Sequence, residues 1–242
     1  MTALAVEALD VHASIGGSKV LQGISLNVPS PGFTAILGRN GVGKTTTLRT
    51  LIGQVKATSK KGGTAPIRIL GHDVAGWPTH KIIRLGVGYI PEDREVFARL
   101  TVRENLRLAE FGTAGVGRNA NYDQVYALFP ELKQRSRQSA GTLSGGQQQM
   151  LAIGRVLLAD RPLLLIDEPT KGLSPKFVSE AVDVLERVRE TATVLMVEQN
   201  VHVVRRLAQQ VVVLDHGQVA HAGPASELED ESLVRRFLGV SQ

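Results

Sequence analysis

Gly38-Arg39-Asn40-Gly41-Val42-Gly43-Lys44-Thr45 satisfies G-x-x-x-x-G-K-[ST] without a mismatch, and this stretch decides the fold. An apolar run, Phe33–Leu37, precedes it with the length of a buried strand, and a helical run from Lys44 to about Ile52 follows. Glycines let the loop turn its backbone N–H groups inward, so strand end, loop and helix start make a concave anion site. In that geometry Lys44 neutralises the β- and γ-phosphates of a nucleoside triphosphate, and the Thr45 hydroxyl is placed to ligate Mg²⁺. Thr46, next on the helix, completes the expected nucleotide-binding set.

A second apolar run, Leu163-Leu164-Leu165-Ile166, ends in Asp167-Glu168. Taken alone, it reads as a buried strand closing in a solvated acidic turn. Beside a phosphate loop it means more, because such enzymes place an acid at the end of a neighbouring strand to hold the Mg²⁺ shell. Asp167 stands at that position. Glu168 is then the candidate to orient an attacking water or take its proton, so hydrolysis is expected rather than nucleotide storage.

Working outward, strands alternate with helices of ordinary length: strand Val87–Ile90, a helix from Gly145 to about Leu158, strand Leu163–Asp167, a helix from Pro175 to about Glu190, strand Val194–Val197, a helix from Asn200 to about Leu207, then strands Val211–Asp215 and Val219–Ala222. That alternation predicts an α/β fold, a phosphate-loop core of mainly parallel sheet with helices on both faces. Leu4–Val11 and Val20–Val28 alternate like strands and end at a Pro-Ser-Pro-Gly turn, which predicts an antiparallel N-terminal β subdomain. Gln54–Pro66, rich in Lys, Gly, Thr and Ser, reads as a flexible surface loop. Thr101–Gln138 has helical patterning broken by Gly112, Gly115 and Gly117, which predicts an inserted helical lobe. The whole chain is expected to be one domain, 1–242, with a core lobe of about 1–92 and 145–242 and a helical lobe of about 93–144.

Composition narrows the classes. At 43% hydrophobic residues the chain is not a disordered one. No apolar run approaches the roughly 18 residues of a membrane-spanning helix. Met1–Asp10 lacks the basic and apolar segments of a secretory signal, and cysteine is absent, which fits a reducing, cytoplasmic setting. The 28 Lys+Arg against 23 Asp+Glu leave +5, but the basic residues are scattered, so no nucleic-acid partner is expected. The six histidines, at 12, 72, 80, 202, 216 and 221, show no paired spacing suited to a metal.

One segment narrows the phosphate-loop class further. Leu143-Ser144-Gly145-Gly146-Gln147 is a serine-capped glycine turn opening a helix and able to hold an anion. With the loop and Asp167-Glu168 in this order, the chain resembles an ATP-binding-cassette ATPase from end to end. The resemblance implies ATP and Mg²⁺ as cofactors and two such domains set head to tail. Ser144, Gly145, Gly146 and Gln147 of one would then close on the γ-phosphate held by the other. It also implies membrane-spanning permease subunits as partners, and a peripheral place on the inner face of the membrane. Three positions depart from the commonest family pattern. Glu92 stands where a glutamine usually contacts the metal, with Arg94 near enough in sequence to offset its charge. Gln199 replaces the switch histidine and can still donate a hydrogen bond to a γ-phosphate. Ile15 aligns with the aromatic residue expected to stack on adenine and offers only apolar contact.

Tyr89-Ile90-Pro91-Glu92-Asp93-Arg94, Gln147-Gln148-Gln149-Met150, the segment from Asp167 to Pro175 and Val197-Glu198-Gln199-Asn200 look like ATPases of branched-chain amino acid importers, with urea and short-amide importer ATPases as the alternative. Such assemblies imply a second, similar ATPase, making a homodimer or heterodimer, and indirectly a solute-binding protein. Two other classes compete. DNA-clamping relatives carry long coiled coils between the loop and the signature, whereas only about a hundred residues separate Lys44 from Ser144, without sustained heptads. A non-hydrolysing regulatory module accords with Ile15, Glu92 and Gln199 but not with the retained Glu168.

Overall fold

The two alternating N-terminal stretches extend well beyond their apolar residues. In the computed structural model, which describes residues 3–111 and 120–239, they form β1 (Ala3–Ile15) and β2 (Ser18–Ser30), a long antiparallel hairpin. The strands are longer because cross-strand backbone pairing carries polar residues such as Ser14 and Lys19 along with the apolar ones. β3 (Phe33–Leu37) then enters the core, followed by α1 (Lys44–Leu51). Two very short strands, β4 (Ile67–Ile69) and β5 (His72–Asp73), complete a four-stranded antiparallel sheet in the order β2-β1-β4-β5. The stretch Gln54–Pro66 is tied down rather than loose. Thr58 and His12 exchange backbone hydrogen bonds at 2.8 and 2.9 Å, and Ala57 and Ala65 are buried, so β1 holds the segment along its length.

After α2 (Thr79–Arg84) and β6 (Val87–Ile90) come α3 (Val102–Phe111), α4 (Tyr122–Leu128) and α5 (Pro130–Gln134). The helix-breaking glycines at 112, 115 and 117 lie outside the described residues. The chain then alternates through α6 (Gly145–Leu157), β7 (Leu163–Asp167), α7 (Pro175–Val188), β8 (Thr193–Val197), α8 (Val201–Leu207), β9 (Gln210–Asp215), β10 (Gln218–Pro224) and α9 (Glu231–Leu238). The second sheet has the order β10-β9-β3-β8-β7-β6; all its pairings are parallel except β10 on β9. No helix among the described residues is long and apolar enough to cross a membrane.

Both faces of this sheet are buried, which explains why its strands read as unbroken apolar runs. Side chains alternate between two cores. Phe33, Ala35, Leu164, Ile166, Val194 and Met196 join one core with α6, α7 and α8. Ile36, Leu163, Leu165, Leu195 and Val197 join the other, with α1 and the antiparallel sheet. Leu106 of α3, Val125 of α4, Phe129 and Leu132 of α5 belong to the first core as well, so the helices between β6 and α6 share their apolar filling with the sheet. Leu106 is fully buried. Leu106→Ala is therefore expected to cost about 3 kcal/mol and to shift a single unfolding transition in urea, with both cores melting together.

Candidate active site

Everything that positions the site follows from where the parallel strands end. β3 delivers the chain to Gly38, at φ 155°, where a Cβ would lie 2.5 Å from the Leu214 carbonyl oxygen. The loop closes at Gly43, φ 106°, a left-handed conformation that suits glycine. A Cβ there would meet Leu21 at 2.7 Å, so β2 packs directly against the loop. Gly43 caps α1 without any side-chain hydrogen bond, which leaves the first-turn N–H groups of α1 for an anion. Arg39, Asn40 and Gly41 are exposed along the loop, while Val42 and Thr46 are buried in its support.

Lys44 is only 4% exposed. Its Nζ donates to the carbonyls of Gly38 at 2.9 Å and Arg39 at 3.1 Å, and it lies 3.3 Å from Glu168 Oε1. The Thr45 hydroxyl donates to Asp167 Oδ1 at 3.0 Å, joining α1 to the end of β7. Asp167 is fully buried and its Oδ2 has no partner. Burial, reinforced by the neighbouring charges of Glu168 and Glu92, pushes its carboxyl up to about 6 despite the Thr45 hydrogen bond. Two hard oxygens side by side, one of them an orphaned carboxylate oxygen, are a donor set that suits a small divalent cation.

Glu168 follows at φ 43°, a left-handed conformation that a non-glycine residue adopts at a cost of roughly 1–2 kcal/mol. Gln199 Nε2 donates to Glu168 Oε1 at 2.6 Å, and Lys171 Nζ lies 3.2 Å from Oε2. Burial raises the Glu168 carboxyl, but the hydrogen bonds from Gln199 and Lys171 and the charge of Lys44 together outweigh it and hold the group below its ordinary range. Gln199 also donates to Asn40 Oδ1, so it spans the rim between the loop and Glu168.

Glu92 stays near the acids of the site, where its charge acts on Asp167, but its carboxylate is already engaged. Its carboxylate pairs with Lys171 Nζ at 2.5 Å, and Arg94, expected to offset its charge, lies instead against the signature turn: a Cβ on Gly145 would be 2.8 Å from Arg94 Nη1. The physical reason is local. Arg94 and Glu95 both take positive φ, at 24° and 48°, which turns the chain away after Asp93. Ile15 sits at the tip of the β1–β2 hairpin, 48% exposed.

Ser144 caps α6. Its Oγ accepts from Gln147 N at 3.3 Å, and Gln147 Oε1 accepts from Ser144 N at 3.0 Å, a reciprocal capping box. Gly146 packs on the Phe177 ring, where any Cβ would collide at 2.2 Å. Among the described residues no hydrogen bond or ion pair joins this turn to Lys44, Asp167, Glu168 or Gln199.

Two contributors escaped the sequence. Lys171 bridges Glu92 and Glu168, and its spacing of three from Glu168 was the available signal. Glu198, 3% exposed, accepts from Thr170 Oγ1, from Gln199 N at 2.6 Å and from Asn200 N at 2.9 Å. It thereby locks the turn after β7 to the turn after β8. The pattern that marked Asp167, an acid directly after a run of four apolar residues, marks Glu198 too, after Val194–Val197. Glu198→Ala leaves two backbone N–H groups and the Thr170 hydroxyl without an acceptor. A loss of about 3 kcal/mol in chemical denaturation is expected, while Glu198→Gln, which can still bridge both turns, keeps most of the stability.

A glycine-rich anion loop between a buried strand and an uncapped helix, faced by acids at the end of the neighbouring strand, defines a phosphate-loop nucleoside triphosphatase. The profile of the ABC transporter family matches residues 21–171, which span the loop, the signature turn and Asp167-Glu168. The chain belongs to that family and is an ATP-hydrolysing subunit of a transporter. It is 39% identical over 231 residues to the high-affinity branched-chain amino acid transport ATP-binding protein BraG of Pseudomonas aeruginosa, covering 95% of this chain and 97% of that one. It is 31% identical to the lipopolysaccharide export system ATP-binding protein LptB of Escherichia coli, over 92% of both chains. Its fold matches MJ1267, an ATP-binding cassette of an ABC transporter in its ADP conformation, with a TM-score of 0.80 at 23% identity, over 99% of this chain and 100% of that one.

Proposed function

We propose that this chain powers the uptake of branched-chain amino acids, as a peripheral subunit on the cytoplasmic face of the membrane. It would be bound there to permease subunits, supplied by a solute-binding protein and paired with a second ATPase, identical or different. The observation that carries this reading is the likeness to BraG along nearly the whole chain. Urea or short-chain amides are the alternative cargo. The LptB likeness favours export as a second reading. Deleting the gene should abolish uptake of labelled leucine, with wild type but not Glu168→Gln restoring it. Intact leucine uptake with lost urea uptake or a defective outer surface would overturn the assignment.

In this reading, Gly38–Gly43 wrap the triphosphate with their backbone N–H groups, Lys44 pairs with its β- and γ-oxygens, and Thr46 steadies the first turn of α1. Ile15 supplies an apolar edge for the adenine. A Mg²⁺ ion, when bound, neutralises the phosphate oxygens and draws charge from the bond that breaks. Thr45 and Asp167 are the residues to hold it; Glu92 joins them only by leaving Lys171. Glu168, kept ionised by Lys44, Lys171 and Gln199, accepts the proton of the attacking water, and Gln199 orients the γ-phosphate. Ser144–Gln147 serve the nucleotide of the partner ATPase, which accords with their separation from this chain's own site. ATP then closes the pair because it binds both subunits more tightly closed than open. The permease contact is assigned to Glu92–Phe97 and the helices after it, in the groove between a core lobe of about 1–92 and 145–242 and a helical lobe of about 93–144.

The carboxyl of Asp167 gives this arrangement a pH signature. A proton competes with the cation for Asp167 once the pH falls below about 6. Mg²⁺ affinity in the presence of ADP should then fall by about tenfold per pH unit, read from the Mg²⁺ dependence of thermal unfolding.

A further inference from the structure

β6 and β7 run parallel with Ile90 opposite Ile166, so Glu92 and Glu168 follow that pair at equal distance along the chain, on neighbouring strand ends. Two carboxylates set side by side repel unless a cation stands between them. Lys171 is that cation. Its Nζ lies 2.5 Å from Glu92 Oε1 and 3.2 Å from Glu168 Oε2, and among the described residues its side chain has no other polar partner.

The two ends of this bridge are unequal. Glu168 is 6% exposed and keeps further partners on its other oxygen, Lys44 at 3.3 Å and Gln199 at 2.6 Å. Glu92 is 30% exposed, and among the described residues its carboxylate has Lys171 alone. The shorter contact therefore goes to the acid with fewer ties, and that acid already acts on Asp167 through its charge.

A carboxylate at position 92 differs from an amide in two ways: it pairs with an ammonium, and once unpaired it binds a hard divalent cation more strongly. The same oxygens cannot serve Lys171 and Mg²⁺ at once without bringing two cations together. Given the Mg²⁺ site proposed for Thr45 and Asp167, we infer that Lys171 is a positioning residue that competes with Mg²⁺ for Glu92. While the ion pair stands, Glu92 is withheld from the cation, which Thr45 and Asp167 hold without it. Glu92 changes partner only when a bound triphosphate adds enough affinity for the cation to break the pair. After the γ-phosphate has gone, Lys171 recovers Glu92, and Mg-ADP is held loosely enough to leave.

The test titrates the full chain with Mg²⁺ in the presence of ADP at about pH 8, where Asp167 is ionised, and reads the affinity from thermal unfolding. Lys171→Met should bind Mg²⁺ about tenfold more tightly than the wild type, because Glu92 is released to the cation. Lys171→Arg, which keeps a charged donor between the two acids, should stay within about twofold of the wild type. The same Lys171→Met change made in Glu92→Gln should leave Mg²⁺ affinity nearly unaltered, since position 92 then has no charge to release. An unchanged or weakened affinity in Lys171→Met overturns the competition. An equal gain in the Glu92→Gln background overturns it too, because the lysine would then act only as a distant positive charge. Lys171 is 53% exposed, so the variant keeps its packing; should Lys171→Met fail to fold, Lys171→Gln takes its place with the same expectations. Absence of any Mg²⁺ effect in both wild type and variant would overturn the cation site itself, whereas equal effects in the two overturn the role of Lys171 alone.

Discussion

Glu168→Gln is expected to lower ATP hydrolysis by about 10²–10⁴-fold while leaving ATP binding in place. Glutamine keeps the shape of the side chain and one oxygen to accept from Gln199, but it cannot take a proton from water. Neither the loop nor the Thr45–Asp167 contact depends on the lost charge. ATP should therefore stay bound and hold two subunits together, so gel filtration with Mg-ATP should show a dimer that ADP does not support. A nucleotide-binding module that never hydrolysed would show no change in either measurement. Stability shifts with a definite sign. The Glu168 carboxyl is held below its ordinary range in the folded state, so its ionised form contributes stability that is present at neutral pH and lost as the pH falls through the folded value. The glutamine variant should lack that part of the acid dependence in its unfolding curve.

Lys44→Ala should weaken Mg-ATP binding by about 100-fold or more, because two charge-assisted contacts to phosphate vanish together. The fold should survive. Lys44 donates only to two loop carbonyls and faces Glu168, whose charge Lys171 and Gln199 continue to satisfy. Circular dichroism should thus match the wild type while equilibrium binding of a fluorescent ATP analogue is lost. Tight Mg-ATP binding by this variant would remove the phosphate loop from its assigned role.

The parallel core was legible because each of its strands is buried on both faces: Phe33–Leu37, Val87–Ile90 and Leu163–Asp167 fall where the apolar runs fall. β4 and β5 were not, since Ile67–Ile69 and His72–Asp73 are too short to show a period and owe their strand form to pairing with β1 and with each other. The stretch Gln54–Pro66 is the surface loop its composition indicates, but its ties to β1 were hidden for a similar reason. Its composition is that of a free turn, yet backbone bonds to His12, which composition does not register, hold it. At the site, motifs mark residues whose chemistry is fixed by type, such as Lys44 and Asp167. Lys171 and Glu198 work through partners distant in sequence, Glu92 for one and Thr170 for the other, and only folding brings those together. Arg94 is the converse case: proximity in sequence to Glu92 was undone by two consecutive residues at positive φ.

The apolar filling that α3, α4 and α5 share with α6 and α7 bears on how this subunit can be rebuilt. Grafting that helical segment from a relative, to redirect the subunit toward another permease, exchanges half of a jigsaw. Val125 and Phe129 approach the helix at Gly154, where a Cβ would lie 3.1 Å from Val125 Cγ1, so an alanine there already crowds the seam. Chimeras that carry the matching faces of α6 and α7 with the graft should express as folded protein, and those that carry the segment alone should aggregate.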